Sequence, residues 1–200
     1  MKPQEQLENH YNPRLEKYTE THRILDWESR EAQMARFRVL LSSVPLEGKS
    51  LLDVGCGCGD LLALLKEEGI RAEYTGVDIL PGMIEKARDL HCSDCFLCGD
   101  IFENPGICRK SYDVVFTSGI FNLNLGNNQA FFHRALDVFT ELAGSALVIN
   151  LLDEASPDRD DRYFYFSPEK AAAEMALRGW KVSIVREYLD NDFTLVGRRA

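Results

Sequence analysis

At 200 residues with 45% apolar side chains, the chain has the length for one domain with a substantial core. Lys and Arg total 23 against 32 Asp and Glu, a net charge of −9 that speaks against phosphate neutralisation, and so against nucleic acid as a partner; no basic stretch, Arg109-Lys110 included, exceeds two residues. No run of about 18 apolar residues occurs and the polar opening MKPQEQLENHYNPRLEKY carries no signal core, so a cytoplasmic protein without a membrane span is expected.

Residues 1–20 read as a loosely ordered arm with some helical content, interrupted at Pro13. In WESREAQMARFRVLL, from Trp27 to Leu41, the apolar residues fall at helical spacing, and Pro45 and Gly48 end the helix. KSLLDV is a short apolar strand, LLALLKEEG a helix ending near Gly69, and EYTGVDI the second strand. Pro81 suits a first helical turn, opening GMIEKARDL. CFLCGD and YDVVFTSG are the third and fourth strands, NQAFFHRALDVFTEL a helix over 128–142, and SALVINLL the fifth strand. DEASPDRDDR is a charged loop long enough to serve as a lid. A helix from Ser167-Pro168 then leads to an antiparallel pair, KVSIVREY and DFTLVGRR. Five alternations of strand and helix closed by a hairpin predict an α/β fold with a mostly parallel sheet covered on both faces. Ligands in such sheets sit at the carboxyl ends of the strands.

The six cysteines do not form a secreted framework, because a chain of this length builds a core without one. Cys92, Cys95 and Cys98 are spaced by three, with Cys108 ten residues on. The close fourth ligand of an iron–sulfur run is missing, and strand alternation splits Cys95 from Cys98. No metal site is expected.

The densest chemistry is LLDVGCGCGD, positions 51–60. Cys56 and Cys58 are too close for a good chelating pair or an unstrained disulfide. Glycines at 55, 57 and 59 instead permit a tight turn and close approach to a ligand. The phosphate-binding Lys-Ser/Thr pair is absent, and Asp60 stands where the dinucleotide pattern needs glycine. A cofactor without phosphate, bearing ribose and a positive centre, fits better, which describes S-adenosyl-L-methionine. Asp78, at the second strand's end, can accept both ribose hydroxyls. Asp100 can take the adenine amino group, with Ile79 and Ile101 on either side of the ring. Thr117, Ser118 and Gly119 end the fourth strand beneath the methionine part, and Asp53 can steady the glycine loop or the ammonium.

With Asp53, Gly55, Gly57 and Gly59 in a first motif, Asp78 in a second and Gly99-Asp100-Ile101 in a third, the chain resembles a small, single-domain class I S-adenosylmethionine-dependent methyltransferase. The resemblance covers about residues 48–200. It implies a Rossmann-like, three-layer α/β/α architecture whose seven-stranded sheet is mostly parallel with an antiparallel last strand. Residues 48–200 would form the methyltransferase core domain, and 1–47 an N-terminal arm and capping helix. THRILDWESREAQ resembles the segment that caps the cofactor in small members, with Arg30 positioned for the methionine carboxylate and Trp27, Arg30 and Gln33 along one helix face. The implied activity is methyl transfer to a small-molecule acceptor.

The Asn-Pro-Pro-Tyr type signature of amide and base N-methylators is absent; SGIFNLNLG follows the fourth strand. Acceptor-side candidates are Tyr11, Tyr18 and His22, then Phe121 and Asn122, then the YFYF run from Tyr163 to Phe166. His22 is the natural general base and Tyr11 its companion in catalysis. The arm and the loop from Asp153 to Tyr165 are expected to meet over the cofactor. A protein or nucleic-acid methyltransferase, or a cofactor-binding protein without transfer, is the alternative; oligomeric state is not legible.

Overall fold

The computed structural model describes residues 3–108 and 111–199, so Arg109-Lys110 lie outside the described residues. In chain order come α1 (Pro3–Lys17), α2 (Thr21–Ile24), α3 (Arg30–Ser43), β1 (Ser50–Val54), α4 (Asp60–Glu67), β2 (Glu73–Asp78), α5 (Pro81–His91), β3 (Phe96–Cys98) and β4 (Tyr112–Ser118). They are followed by α6 (Asn128–Leu142), β5 (Ala143–Leu152), α7 (Pro168–Ala176), β6 (Lys181–Val185) and β7 (Asp192–Arg198). The seven strands form one sheet in the order β3-β2-β1-β4-β5-β7-β6. Pairings from β3 through β5 are parallel, and β7 runs antiparallel to both β5 and β6. The order reverses between β1 and β4, which opens a crevice at their carboxyl ends.

Period-two alternation divides the core between the two faces. Leu52, Val115, Leu147 and Leu195 point to one side and pack with Phe132, Leu136 and Phe139 of α6 and Met175 of α7. Their sequence neighbours Leu51, Val114, Val148 and Val196 point to the other, against Phe37 and Leu40 of α3, Leu61 and Leu65 of α4, and Ile84 of α5. These continuous apolar pairs are what a sheet covered on both faces requires. Arg36 of α3, 3% exposed, is clamped by Asp192 of β7 through Nε–Oδ2 at 2.8 Å and Nη2–Oδ1 at 2.6 Å.

Two local expectations change. The arm is a continuous helix through Pro13, because Leu7, Tyr11 and Leu15 pack on Ile24, Leu80 and Met83. The helix drawn from Trp27 begins at Arg30, since the Ser29 side chain accepts the Ala32 N–H at 3.0 Å and caps it there. Trp27 therefore precedes the helix and shares no helical face with Arg30 and Gln33. No described helix is long and apolar enough to cross a membrane.

Candidate active site

A cavity of about 390 Å³ lies over the carboxyl ends of β1, β2 and β4. Its floor is the turn after β1. Gly55 has φ +73°, and a Cβ there would sit 2.1 Å from Ile120 Cγ2, so only glycine fits. Gly55 and Cys56 border the cavity. Gly57 and Gly59 serve the turn from outside it: the open side of Gly57 faces Leu25, and Gly59 precedes α4 with Phe96 and His91 against it.

Three carboxylates line one wall. Asp53, 4% exposed, accepts a 2.7 Å bond from the Tyr74 hydroxyl. Burial, reinforced by the charges of Asp78 and Asp60 and partly opposed by that bond, pushes it up to about 7. Asp78 accepts Gly57 N–H on Oδ2 (3.0 Å) and Leu80 N–H on Oδ1 (2.9 Å), which ties the first motif to the second strand. Burial raises its pKa while these N–H groups lower it. Asp78 borders the cavity, where a carboxylate can accept from a ribose diol. Asp100 accepts Phe102 N–H at 2.8 Å and borders the cavity with Ile79 and Ile101.

Other sequence candidates divide. Ser118 borders the cavity and donates to Asn150 Oδ1 at 3.1 Å. Thr117 is turned away, its hydroxyl bonded to Val54 O at 2.9 Å, because adjacent strand residues face opposite sides. Arg30 is exposed on the first turn of α3 and does not border the cavity. His22, half-buried in α2, is also outside the lining. Tyr11 is inside it. Burial, then the charges of Asp26 and Asp78, raise the Tyr11 phenol well above its usual value, so it keeps its proton and can donate but not act as a base. Among the described residues no group of three His, Cys, Asp or Glu is arranged to hold a metal ion.

The roof is built around Asp26. Asp26 (φ +61°) meets Arg14 Nη2 at 2.5 Å, His10 Nε2 at 3.0 Å and the Tyr163 hydroxyl at 2.8 Å. Burial opposes its charge, but the contacts of His10 and Tyr163 and the charge of Arg14 outweigh it and hold Asp26 below the usual carboxylate range. These contacts bring α1 and the loop after β5 together over the cavity, where Tyr11, Trp27 and Tyr163 all border it. Within the YFYF run, Phe166 is buried in the core with Phe164 against it, while the Tyr165 hydroxyl accepts Asp160 N–H at 3.0 Å.

The donor set suits a cationic ligand without phosphate. Asp26, Asp53, Asp78, Asp100 and Glu103 border the cavity, and the single Lys or Arg among the described lining residues, Arg134, is paired to Glu103 at 2.9 Å. A pyrophosphate would find no free cation here. Two enclosed acceptors, Gln33 Oε1 and Asn122 Oδ1, have no partner and await a donor. S-adenosylmethionine, with a sulfonium, an ammonium and a ribose diol, meets these demands.

Comparison with known proteins agrees. Residues 51–141 match the methyltransferase domain family. Rv1506c of Mycobacterium tuberculosis, described as a methyltransferase, is 28% identical over 163 residues, 76% of this chain and 93% of that protein. The malonyl-[acyl-carrier protein] O-methyltransferase of Acetivibrio thermocellus is 38% identical over 96 residues, 46% of this chain; the match spans a third (33%) of that longer relative. Magnesium protoporphyrin IX methyltransferase of Synechocystis PCC 6803, solved with S-adenosylmethionine bound, shares the fold with a TM-score of 0.69 at 14% identity, over 100% of this chain and 98% of that one. The motifs, the sheet order and the acid-lined cavity agree with these likenesses: residues 51–141 match a methyltransferase domain, and the fold is that of the class I S-adenosylmethionine-dependent methyltransferases.

Proposed function

We propose that the protein moves the methyl group of S-adenosylmethionine to a small-molecule acceptor held beneath the α1 roof. The observation that carries this is the roofed cavity: Tyr163 and Asp26 join the loop after β5 to the N-terminal segment, and Tyr163 borders the same cavity as the cofactor acids. The bound cofactor supplies an electrophilic methyl on sulfur. Asp78 holds the ribose, Asp100 the adenine edge, Ile79 and Ile101 the ring faces, and Ser118 and Asp53 the methionine end. Tyr11, Trp27 and Tyr163 exclude water and align the acceptor, which is the main rate contribution open to this site.

Among the described residues the roof groups are engaged, His10 against Asp26 at 3.0 Å. Asp26 is spent on three partners, and the phenols of Tyr11 and Tyr163 are raised, the latter to about 12, first by burial and then by Asp26. The acceptor therefore brings its own nucleophilic atom, and its proton, if it has one, leaves to solvent. Relatives named for aklanonic acid and trans-aconitate are consistent with small acceptors. We place the enzyme in the cytoplasm with no nucleic-acid partner, in keeping with its net charge of −9.

The experiment is incubation of the protein with methyl-labelled cofactor and fractionated metabolite extract, with mass identification of products. A labelled small molecule dependent on Tyr11 and Tyr163 is expected. Label found solely in protein or nucleic acid would overturn the proposal.

A further inference from the structure

On the wall near the carboxyl ends of β1 and β4, one deeply buried side chain ends in an atom with nothing to bind. Gln33, 1% exposed, donates through Nε2 to Asp60 Oδ2 at 3.0 Å, and the Thr21 hydroxyl donates to Asp60 Oδ1 at 2.6 Å. A carboxylate only accepts, so the amide must turn its NH₂ toward Asp60, which fixes Oε1 on the opposite side. That oxygen is enclosed and without a partner, and Gln33 borders the cavity. An enclosed amide oxygen with no donor is a lasting cost unless a ligand provides one.

Its position says which part of a ligand does so. Asp60 opens α4 directly after the turn from β1. Phe37, one helical turn beyond Gln33, packs on Phe116 of β4 with ring centroids 6.1 Å apart, and Trp27 lies 3.1 Å from the Cβ position of Gly119. Gln33 thus stands on the β1–β4 side of the crevice, whereas Asp78 and Asp100 lie beyond β1, at the ends of β2 and β3. With adenosine on those acids, the far end of the cofactor falls at Gln33. A carboxylate there would meet a lone pair backed by the charge of Asp60, while an ammonium would meet a ready acceptor.

We propose that Gln33 Oε1 accepts a hydrogen bond from the α-ammonium of the cofactor's methionine part, with Asp60 and Thr21 as positioning residues that aim the amide. The inference rests on the methyltransferase reading. It also gives Asp60 a use at the position where a dinucleotide site would need glycine.

The test is calorimetric binding of two ligands, S-adenosylhomocysteine and 5′-methylthioadenosine, which lacks the amino-acid part. Gln33→Met keeps the side chain's length and removes the acceptor. It should weaken S-adenosylhomocysteine roughly ten- to hundredfold and leave 5′-methylthioadenosine within about twofold. Thr21→Val should give the same selectivity in weaker form. Equal losses for both ligands, or no loss for either, overturn the assignment. Should Gln33→Met fail to fold, the wild type decides: it should bind S-adenosylhomocysteine at least about tenfold more tightly than deamino-S-adenosylhomocysteine, which keeps the carboxylate and lacks only the amino group, and near-equal affinities overturn the assignment. Failure of the wild type to bind either adenosine ligand is a different result and defeats the methyltransferase reading itself.

Discussion

Replacing Tyr74 with Phe should change the pH at which the enzyme takes up its cofactor. The Tyr74 phenol is pushed well above its usual pKa by burial and the charge of Asp53, so it stays protonated and always donates its 2.7 Å bond. Asp53, pushed up to about 7 chiefly by burial, is half-ionised near neutrality, and this bond favours its charged form. A hydrogen bond to a charged group is worth about 1.5–3 kcal/mol, and one pKa unit is about 1.4 kcal/mol, so its loss should raise the carboxyl by about 1–2 units. Cofactor cations prefer the ionised form. In calorimetric titrations with S-adenosylhomocysteine, the wild-type affinity should rise with pH through a midpoint near 7, and that of Tyr74→Phe through one between about 8 and 9. At about pH 7.5 the variant should bind roughly eightfold more weakly, and the gap should close at higher pH. Asp53→Asn should flatten the profile. An unmoved midpoint in Tyr74→Phe would refute the coupling. The same carboxyl carries a stability signature: its folded pKa lies above its unfolded one, so the native state binds the extra proton and stability should fall as pH rises from about 4 to about 7.

Asp78→Ala loses the ribose acceptor and the ties to Gly57 and Leu80, so cofactor affinity should drop at least about tenfold and the melting temperature should fall; a folded variant that binds like the wild type rules out this ribose site. Arg36→Met strands the buried Asp192 carboxylate, at a cost of about 3–5 kcal/mol, or roughly 6–20 °C in a thermal melt, and replacing both partners by apolar residues should recover much of it. Removal of residues 1–24 should abolish turnover and leave the sheet folded by circular dichroism, with cofactor affinity falling less; normal turnover would move the acceptor site elsewhere.

The parts of the site legible in the sequence are those where local chemistry dictates geometry. Glycines at 55, 57 and 59 can only be a turn, and an acid ending an apolar strand, as Asp78 does, must face the crevice at the sheet's edge. Of Thr117 and Ser118, strand alternation lets only Ser118 reach the crevice. Arg30 stands exposed outside the cavity lining because the Ser29 cap, not the apolar spacing, sets where α3 starts and so which way its first turn points. The orientation of Gln33 depends on Asp60, 27 residues away, and so has no local signal. The Asp26 hub had no local signal, since its partner Tyr163 lies 137 residues downstream and only folding brings the two together.

That β7 sits between β5 and β6 has a consequence during synthesis. Until residues 192–198 leave the ribosome, the long apolar strand β5 presents an open edge, the kind of surface that pairs with other nascent chains. The same seven residues bring Asp192, the counter-charge for a guanidinium made 156 residues earlier. An intermediate that buried α3 before β7 arrived would enclose a lone cation, so early closure is penalised. Strand insertion and charge neutralisation come in one step, and that step commits the domain.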